Sequence, residues 1–177
     1  MAIFGKHDPK IFMPGYRLEI TNEGEARLMG VTTRTRILLV EDDLSLGELY
    51  LLAFEKHKQC EVTWVVRGRF VPDTTSGAAD LILMLMNDRG GEQVFVPGDF
   101  DFAICDYQLK MSELTGEQVV AAISRQGLRV MGASGDRWLN ETLVKAGAVK
   151  SMVKQDLLSC LIKDREFGDK LIAMMSV

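Results

Sequence analysis

Short aliphatic runs alternate with amphipathic stretches along most of this chain. Residues 36–40 (RILLV) form a continuous apolar run ended by acids, as in a strand covered on both faces. Residues 44–58 carry apolar side chains at 46, 49, 50, 53 and 54, a helical stripe. Residues 61–66, rich in Val, predict a second strand, and 78–87 a second helix ended by Gly90 and Gly91. Residues 102–105 predict a third strand, and 115–125 a helix with Gly127 as its stop. A fourth strand (129–133), a helix over 136–146 closed by Gly147, a fifth strand (149–153) and a final helix from Gln155 to about Met175, broken near Gly168, complete the pattern. Strands alternating with helices predict an α/β fold around a parallel sheet.

The first residues differ. Pro9, Pro14 and Gly15 interrupt the beginning, and the stretches 16–20 and 25–31 flank Thr-Asn-Glu-Gly. The segment 1–34 is read as an extension, either a β-hairpin or a flexible arm, before a domain spanning 35–177. The chain's 177 residues suit one domain with such an extension. Residues 67–100, framed by Gly, Pro and Asp, are longer than the fold needs and read as insertions around helix two, which Phe70, Phe95 and Phe100 must anchor.

Charge and cysteine content narrow the picture. Lys and Arg number 21 and Asp and Glu 25, a net charge of −4, which argues against a chain-wide nucleic-acid surface. The charge is uneven, since residues 1–36 carry six basic and four acidic groups and the rest carries the acidic excess. Cys60, Cys105 and Cys160 are widely spaced without a metal-ligand pattern and read as reduced, buried thiols. No apolar run is long enough to span a membrane, and the charged N-terminus does not read as a signal peptide. The expectation is a cytoplasmic protein. His7 and His57 are not arranged for catalysis, and His57 is expected to be solvated or to complement a helix end.

In an open parallel sheet, ligands sit beyond the carboxyl ends of the strands. Glu41, Asp42 and Asp43 follow the first strand, Asp106 the third, Ser134 the fourth and Lys154 the fifth. Clustered carboxylates call for a cation, and few oxygen ligands suit Mg²⁺. A carboxylate such as Asp106 serves as a nucleophile forming an aspartyl-phosphate, with Mg²⁺, an ammonium and a hydroxyl neutralising the phosphoryl oxygens.

The blocks ILLVEDD, AICDYQL, MGASGD and KAGAVKSMVK resemble the signatures of the response-regulator receiver domain of two-component signalling, over about residues 35–175. The resemblance implies a flavodoxin-like (βα)₅ doubly wound sheet with strand order 2-1-3-4-5. It implies Mg²⁺-dependent phosphoryl transfer from a phosphohistidine donor, a histidine kinase or phosphotransfer protein, to Asp106 as acceptor. Asp42 would bind Mg²⁺ directly and Glu41 mostly through water, with Asp43 only a neighbour. The Gln108 backbone carbonyl would be a further ligand, Ser134 would hydrogen-bond the phosphoryl group, and Lys154 would pair with it.

Several positions depart from that pattern. Lys110 stands where the family usually has Pro, and Gly116 is two residues later than the usual Gly. Gln155 replaces a Pro after the Lys, Ser151 replaces the switch aromatic, and the segment from Ser134 to Gly147 is about two residues short. No output domain is expected, and signalling is expected through protein–protein contacts or phosphorelay. The expected partner is an unknown downstream protein, with a second copy of the chain as a further option, and neither nucleic acid nor a membrane. The rival reading is a degenerate interaction module that works without phosphorylation. An aspartate-based hydrolase would need a second Asp at position 108, which is Gln, so an enzyme is not expected.

Overall fold

The computed structural model describes residues 16–20, 26–30, 34–72, 81–87 and 89–176. It divides into two units, residues 1–33 and 34–177. In the first, β1 (Tyr16–Ile20) pairs antiparallel with β2 (Ala26–Gly30), Tyr16 opposite Gly30. The Thr-Asn-Glu-Gly turn, the Pro-containing beginning and His7 lie outside the described residues.

The larger unit is built on β3 (Thr35–Val40), β4 (Cys60–Pro72), β7 (Phe102–Asp106), β8 (Val130–Ser134) and β9 (Lys150–Val153). They pair in parallel in the order β4-β3-β7-β8-β9, which is the expected 2-1-3-4-5. Ile37 to Val40 and all of β7 and β8 are buried, as the unbroken apolar runs predict for strands covered on both faces. On one face α1 (Leu44–Phe54), α4 (Lys154–Lys163) and α5 (Phe167–Ser176) pack over Ile37, Leu39, Trp64, Ile104 and Met131. On the other, α2 (Gly116–Arg125) and α3 (Arg137–Lys145) cover Leu38, Val40, Val65, Ala103 and Val130.

Helix two is a correction. Residues 81–87 form strand β5 (Leu81–Asn87), antiparallel to an extended β4, and β6 (Glu92–Val94) adds an outer strand. The predicted helix start at 78–80 lies outside the described residues. The run LILMLM hides its period because both faces are apolar, and only folding separates buried Leu83 and Leu85 from half-buried Ile82, Met84 and Met86. A bulge between Val65 and Arg67 shifts the phase of β4, so Gly68 lies opposite Leu85 and Phe70 opposite Leu83. The expected insertion is therefore a hairpin that widens the sheet to seven strands. Its return to β7 runs through a 3₁₀ turn (Pro97–Asp99). Buried Phe95 stacks on Phe100 with centroids 6.2 Å apart, and Phe70 and Phe100 pack against the same core.

The final helix is broken near Gly168 as expected, at residues 164–166. The Asp164 carboxylate accepts from the Glu166 amide at 3.0 Å and from Lys170 Nζ at 2.8 Å, starting α5 afresh. Gly168 itself permits close approach, since a Cβ there would press on His57 and Gln59. His57 is buried, not solvated, and its Nε2 lies 2.9 Å from the Leu161 carbonyl in the last turn of α4. The three cysteines are free thiols, with Cys60 and Cys105 buried and Cys160 half-buried.

Candidate functional site

Parallel strands end together, so the residues after β3, β7 and β9 meet at one edge of the sheet. There Glu41, Asp42 and Asp106 are all buried, and each offers a carboxylate oxygen within 4.8 Å of the others'. Lys154, the first residue of α4, reaches between two of them. Its Nζ lies 2.7 Å from Glu41 Oε2 and 2.8 Å from Asp106 Oδ2. Glu41 and Asp42 have further partners. Glu41 Oε1 accepts from the Asp43 amide at 3.2 Å, and Asp42 Oδ2 accepts from the Met111 amide at 2.8 Å. The backbone of Gln108 and Tyr107 beside the Asp106 carboxylate works to lower its pKa, and the Tyr107 amide donates to the Ala133 carbonyl at 3.3 Å. Asp43 is committed elsewhere: its side chain caps α1 by accepting from the Leu46 amide at 3.1 Å.

The site opens into a cleft of about 360 Å³, which Gln108, Lys110 and Gln155 also line. Ser134 ends β8 at the same edge, one residue beyond Ala133, the partner of Asp106. It is buried, and its hydroxyl oxygen accepts from the Asp136 amide at 3.3 Å. Glu41, Asp42, Asp106 and Lys154 are thus joined in one cluster, while the Ser134 oxygen is engaged within its own loop.

Burial dominates the electrostatics. It pushes the Glu41 carboxyl up to about 7, helped by the Asp106 charge and opposed by the hydrogen bond from Lys154. Burial also raises Asp106, again against Lys154. For Lys154 burial works the other way, but the hydrogen bonds to Asp106 and Glu41 prevail and hold its ammonium above the ordinary value. Three buried acids around one ammonium leave negative charge uncompensated. An all-oxygen donor set of this size and charge fits Mg²⁺.

Groups without any motif signal hold these acids in place. Trp64 Nε1 donates to the Glu41 carbonyl at 2.8 Å, and its indole lies against Gly47 of α1, where a Cβ would overlap the ring. Gly116 meets the Asp106 and Tyr107 backbone equally closely, so the longer loop still returns to a glycine contact beneath the acceptor. Ser112 anchors that loop. Its Oγ accepts from the Gly68 amide at 3.0 Å and donates to the Gly68 carbonyl at 2.8 Å, which ties the loop carrying Met111 to the β4 extension.

Gly47→Ala gives a first test. Alanine gains about 1 kcal/mol of helix propensity. Displacing a rigid indole from a packed site costs about 1–3 kcal/mol, and loss of the bond to Glu41 adds about 1 kcal/mol. Net destabilisation is expected, with a changed Trp64 emission. Urea unfolding followed by fluorescence in a Trp138→Phe background checks both.

No protein-family model matches the chain, and no curated protein resembles it in sequence. Solved structures do. The receiver domain of the putative response regulator NarL from Mycobacterium tuberculosis superposes with a TM-score of 0.50 and 16% identity, over 82% of this chain and 99% of that domain. The receiver domain of the Francisella response regulator 1452 gives 0.47 and 13%, over 78% and 98%. NtrX from Brucella abortus gives 0.48 and 16%, and there the chain spans 30% of the larger protein. The fold is the flavodoxin-like fold of response-regulator receiver domains. Among the described residues no helix is long and apolar enough to cross a membrane.

Proposed function

We propose that this chain is a divergent receiver that accepts a phosphoryl group on Asp106 from a phosphohistidine donor in a Mg²⁺-dependent reaction. The observation that carries this reading is the Lys154 ammonium bridging Glu41 and Asp106 inside a buried carboxylate triad. Such an arrangement costs stability and serves no packing purpose.

The chemistry needs little more than positioning. An Asp106 oxygen attacks phosphorus, the P–N bond breaks, and its electron pair leaves with the imidazole, which takes a proton from solvent. The Lys154 ammonium, 2.8 Å from Asp106 Oδ2, orients the nucleophile. Glu41, Asp42, Asp106 and the Gln108 carbonyl would hold Mg²⁺, which supplies charge neutralisation at the phosphoryl oxygens. Lys154 transfers its ion pair from the Asp106 carboxylate to the new phosphate. The Ser134 hydroxyl keeps its own proton to donate to a phosphoryl oxygen.

In this reading the protein works in the cytoplasm as a phosphoprotein, not as an enzyme turning over external substrate. A histidine kinase or phosphotransfer protein supplies the phosphate, and a downstream protein reads the shifted conformational equilibrium. The test is intact-mass analysis after incubation with Mg²⁺ and a small acyl-phosphate. One added phosphoryl group is expected, absent in Asp106→Asn and in the presence of a chelator. No adduct together with no Mg²⁺ binding would instead identify a phosphorylation-independent interaction module. The replacements at Ser151, Gln155 and Lys110 favour that second reading.

A further inference from the structure

Helix α1 is apolar over more of its surface than the sheet requires. Gly47, Tyr50, Ala53 and Phe54 form its buried face. Leu49 and Leu52 lie outside that face and are 47% and 58% exposed. A helix that covers a sheet needs one apolar stripe, and a helix that is apolar all round is one whose outer side is covered too. Helix α2 has the ordinary pattern, with Gln118 and Arg125 exposed on its outer side. Beside α1, Ile162 of α4 is 48% exposed. It joins Leu49, Leu52 and Ala53 in lining a cleft of about 470 Å³, which Glu55 and Lys56 also line.

The charges on this face point to what covers it. Glu48, Leu52 and Lys56 follow one another at intervals of four, so they lie in one row along the helix. The backbone keeps a helical course as far as Lys56. Glu55 is in the αR region, its amide donates to the Leu51 carbonyl at 3.0 Å, and the Lys56 amide donates to the Ala53 carbonyl at 3.4 Å. Glu48 and Lys56 are exposed, and eight residues of helix, about 12 Å, hold them too far apart to pair with each other. Among the described residues neither has an ion-pair partner. A row with an acid at one end, a leucine at its centre and a base at the other is complementary to itself run in the opposite direction.

We propose that this face is a homodimer interface, on which a second copy of the chain packs its α1 antiparallel to the first about a two-fold axis at Leu52. Leu52 then meets Leu52 of the second copy, and Glu48 meets Lys56 of the second copy. The two-fold axis repeats that ion pair, so one short row supplies an apolar centre flanked by two pairs. Leu49 and Ile162 of each copy pack around the centre and fill the clefts. An unrelated partner would not require the acid and the base to stand at equal distances from the central leucine. The interface does not depend on the phosphoryl-transfer reading.

Sedimentation equilibrium of the full chain across the micromolar range tests it. Wild type is expected to dimerise, and a wild type that stays monomeric overturns the proposal and leaves the face to a different protein. Leu52→Glu sets two carboxylates together on the axis and should leave only monomer. Leu52 is exposed, so this variant should keep its fold, which circular dichroism checks. A dimer that survives Leu52→Glu lies on another face and overturns the proposal. Glu48→Lys and Lys56→Glu each create two like-charge contacts and should weaken self-association by about tenfold or more. Mixed in equal amounts, these two single variants should pair with each other as tightly as wild type, because each supplies the charge that the other lacks. Single variants that dimerise like wild type, or a mixture no tighter than its components, overturn the antiparallel pairing.

Discussion

Lys154→Met should destabilise the metal-free protein by about 3–5 kcal/mol at pH 8, the usual cost of removing one partner from a buried ion pair. The Lys154 side chain is only 10% exposed, and the two acids it bridges are more buried still. Methionine replaces the packing of the stem but not the charge. Three carboxylates would then share a space in which their oxygens lie within 4.8 Å, with no cation among them. Protonation is their remaining relief, and Glu41, already raised to about 7, takes the proton first. The penalty should therefore shrink at pH 6. Glu41→Gln added to Lys154→Met should recover much of the loss, and so should Mg²⁺ at pH 8. Urea unfolding of the single and double variants at both pH values measures this. A loss below about 1 kcal/mol at pH 8 would place Lys154 among weak, solvent-screened pairs and remove the main electrostatic premise of the site.

The residues behind this prediction were legible in the sequence because strand-end chemistry depends on local order. Glu41 and Asp42 follow RILLV, Asp106 ends FAICD, and Lys154 follows KSMV. Ile37 to Val40 and Phe102 to Cys105 are apolar throughout and declare buried parallel strands with acids at the carboxyl edge, whereas KSMV is half-buried and is placed by its order after the third helix. Where periodicity carried no information, the sequence misled. LILMLM is equally apolar on both faces, and a helix of two turns and a strand of seven residues fit it alike. What decided the outcome was pairing with the prolonged β4 and the bulge at Val65–Arg67, a tertiary event. His57 escaped for the same reason, because its partner is a carbonyl 104 residues away. So did Trp64 and Ser112, whose roles depend on the indole reaching Glu41 and on a loop docking against Gly68. The supports of the site are long-range contacts between unremarkable residues, and no spacing announces them.

The same uncompensated acidity gives the metal-free protein an unusual response to pH. Glu41 titrates at about 7 in the folded chain against an ordinary 4.5, so the folded state holds its proton more tightly than the unfolded state. Stability from this group is fully present below pH 4.5 and is lost as pH rises through about 7. The full span of that shift corresponds to about 3 kcal/mol. Asp106, also raised by burial, acts in the same sense. Glu92 and Asp164 act oppositely: their carboxyls are lowered by Arg69 and Lys170, so their contribution is lost only on acidification. Those exposed pairs weaken the fold below about pH 4.5 and leave the window from 5 to 8 to the buried acids. Metal-free stability should therefore fall between pH 5 and pH 8, whereas most domains are most stable within that range. Glu41→Gln should flatten most of the slope. Saturating Mg²⁺ should raise the melting temperature strongly at pH 8 and little at pH 5, because a cation binds the ionised acids and competes with their protons. Thermal unfolding across pH, with and without Mg²⁺, decides the matter. A profile that is flat or rises from pH 5 to 8, or a slope that survives both Glu41→Gln and Asp106→Asn, would mean that the buried triad is not what titrates.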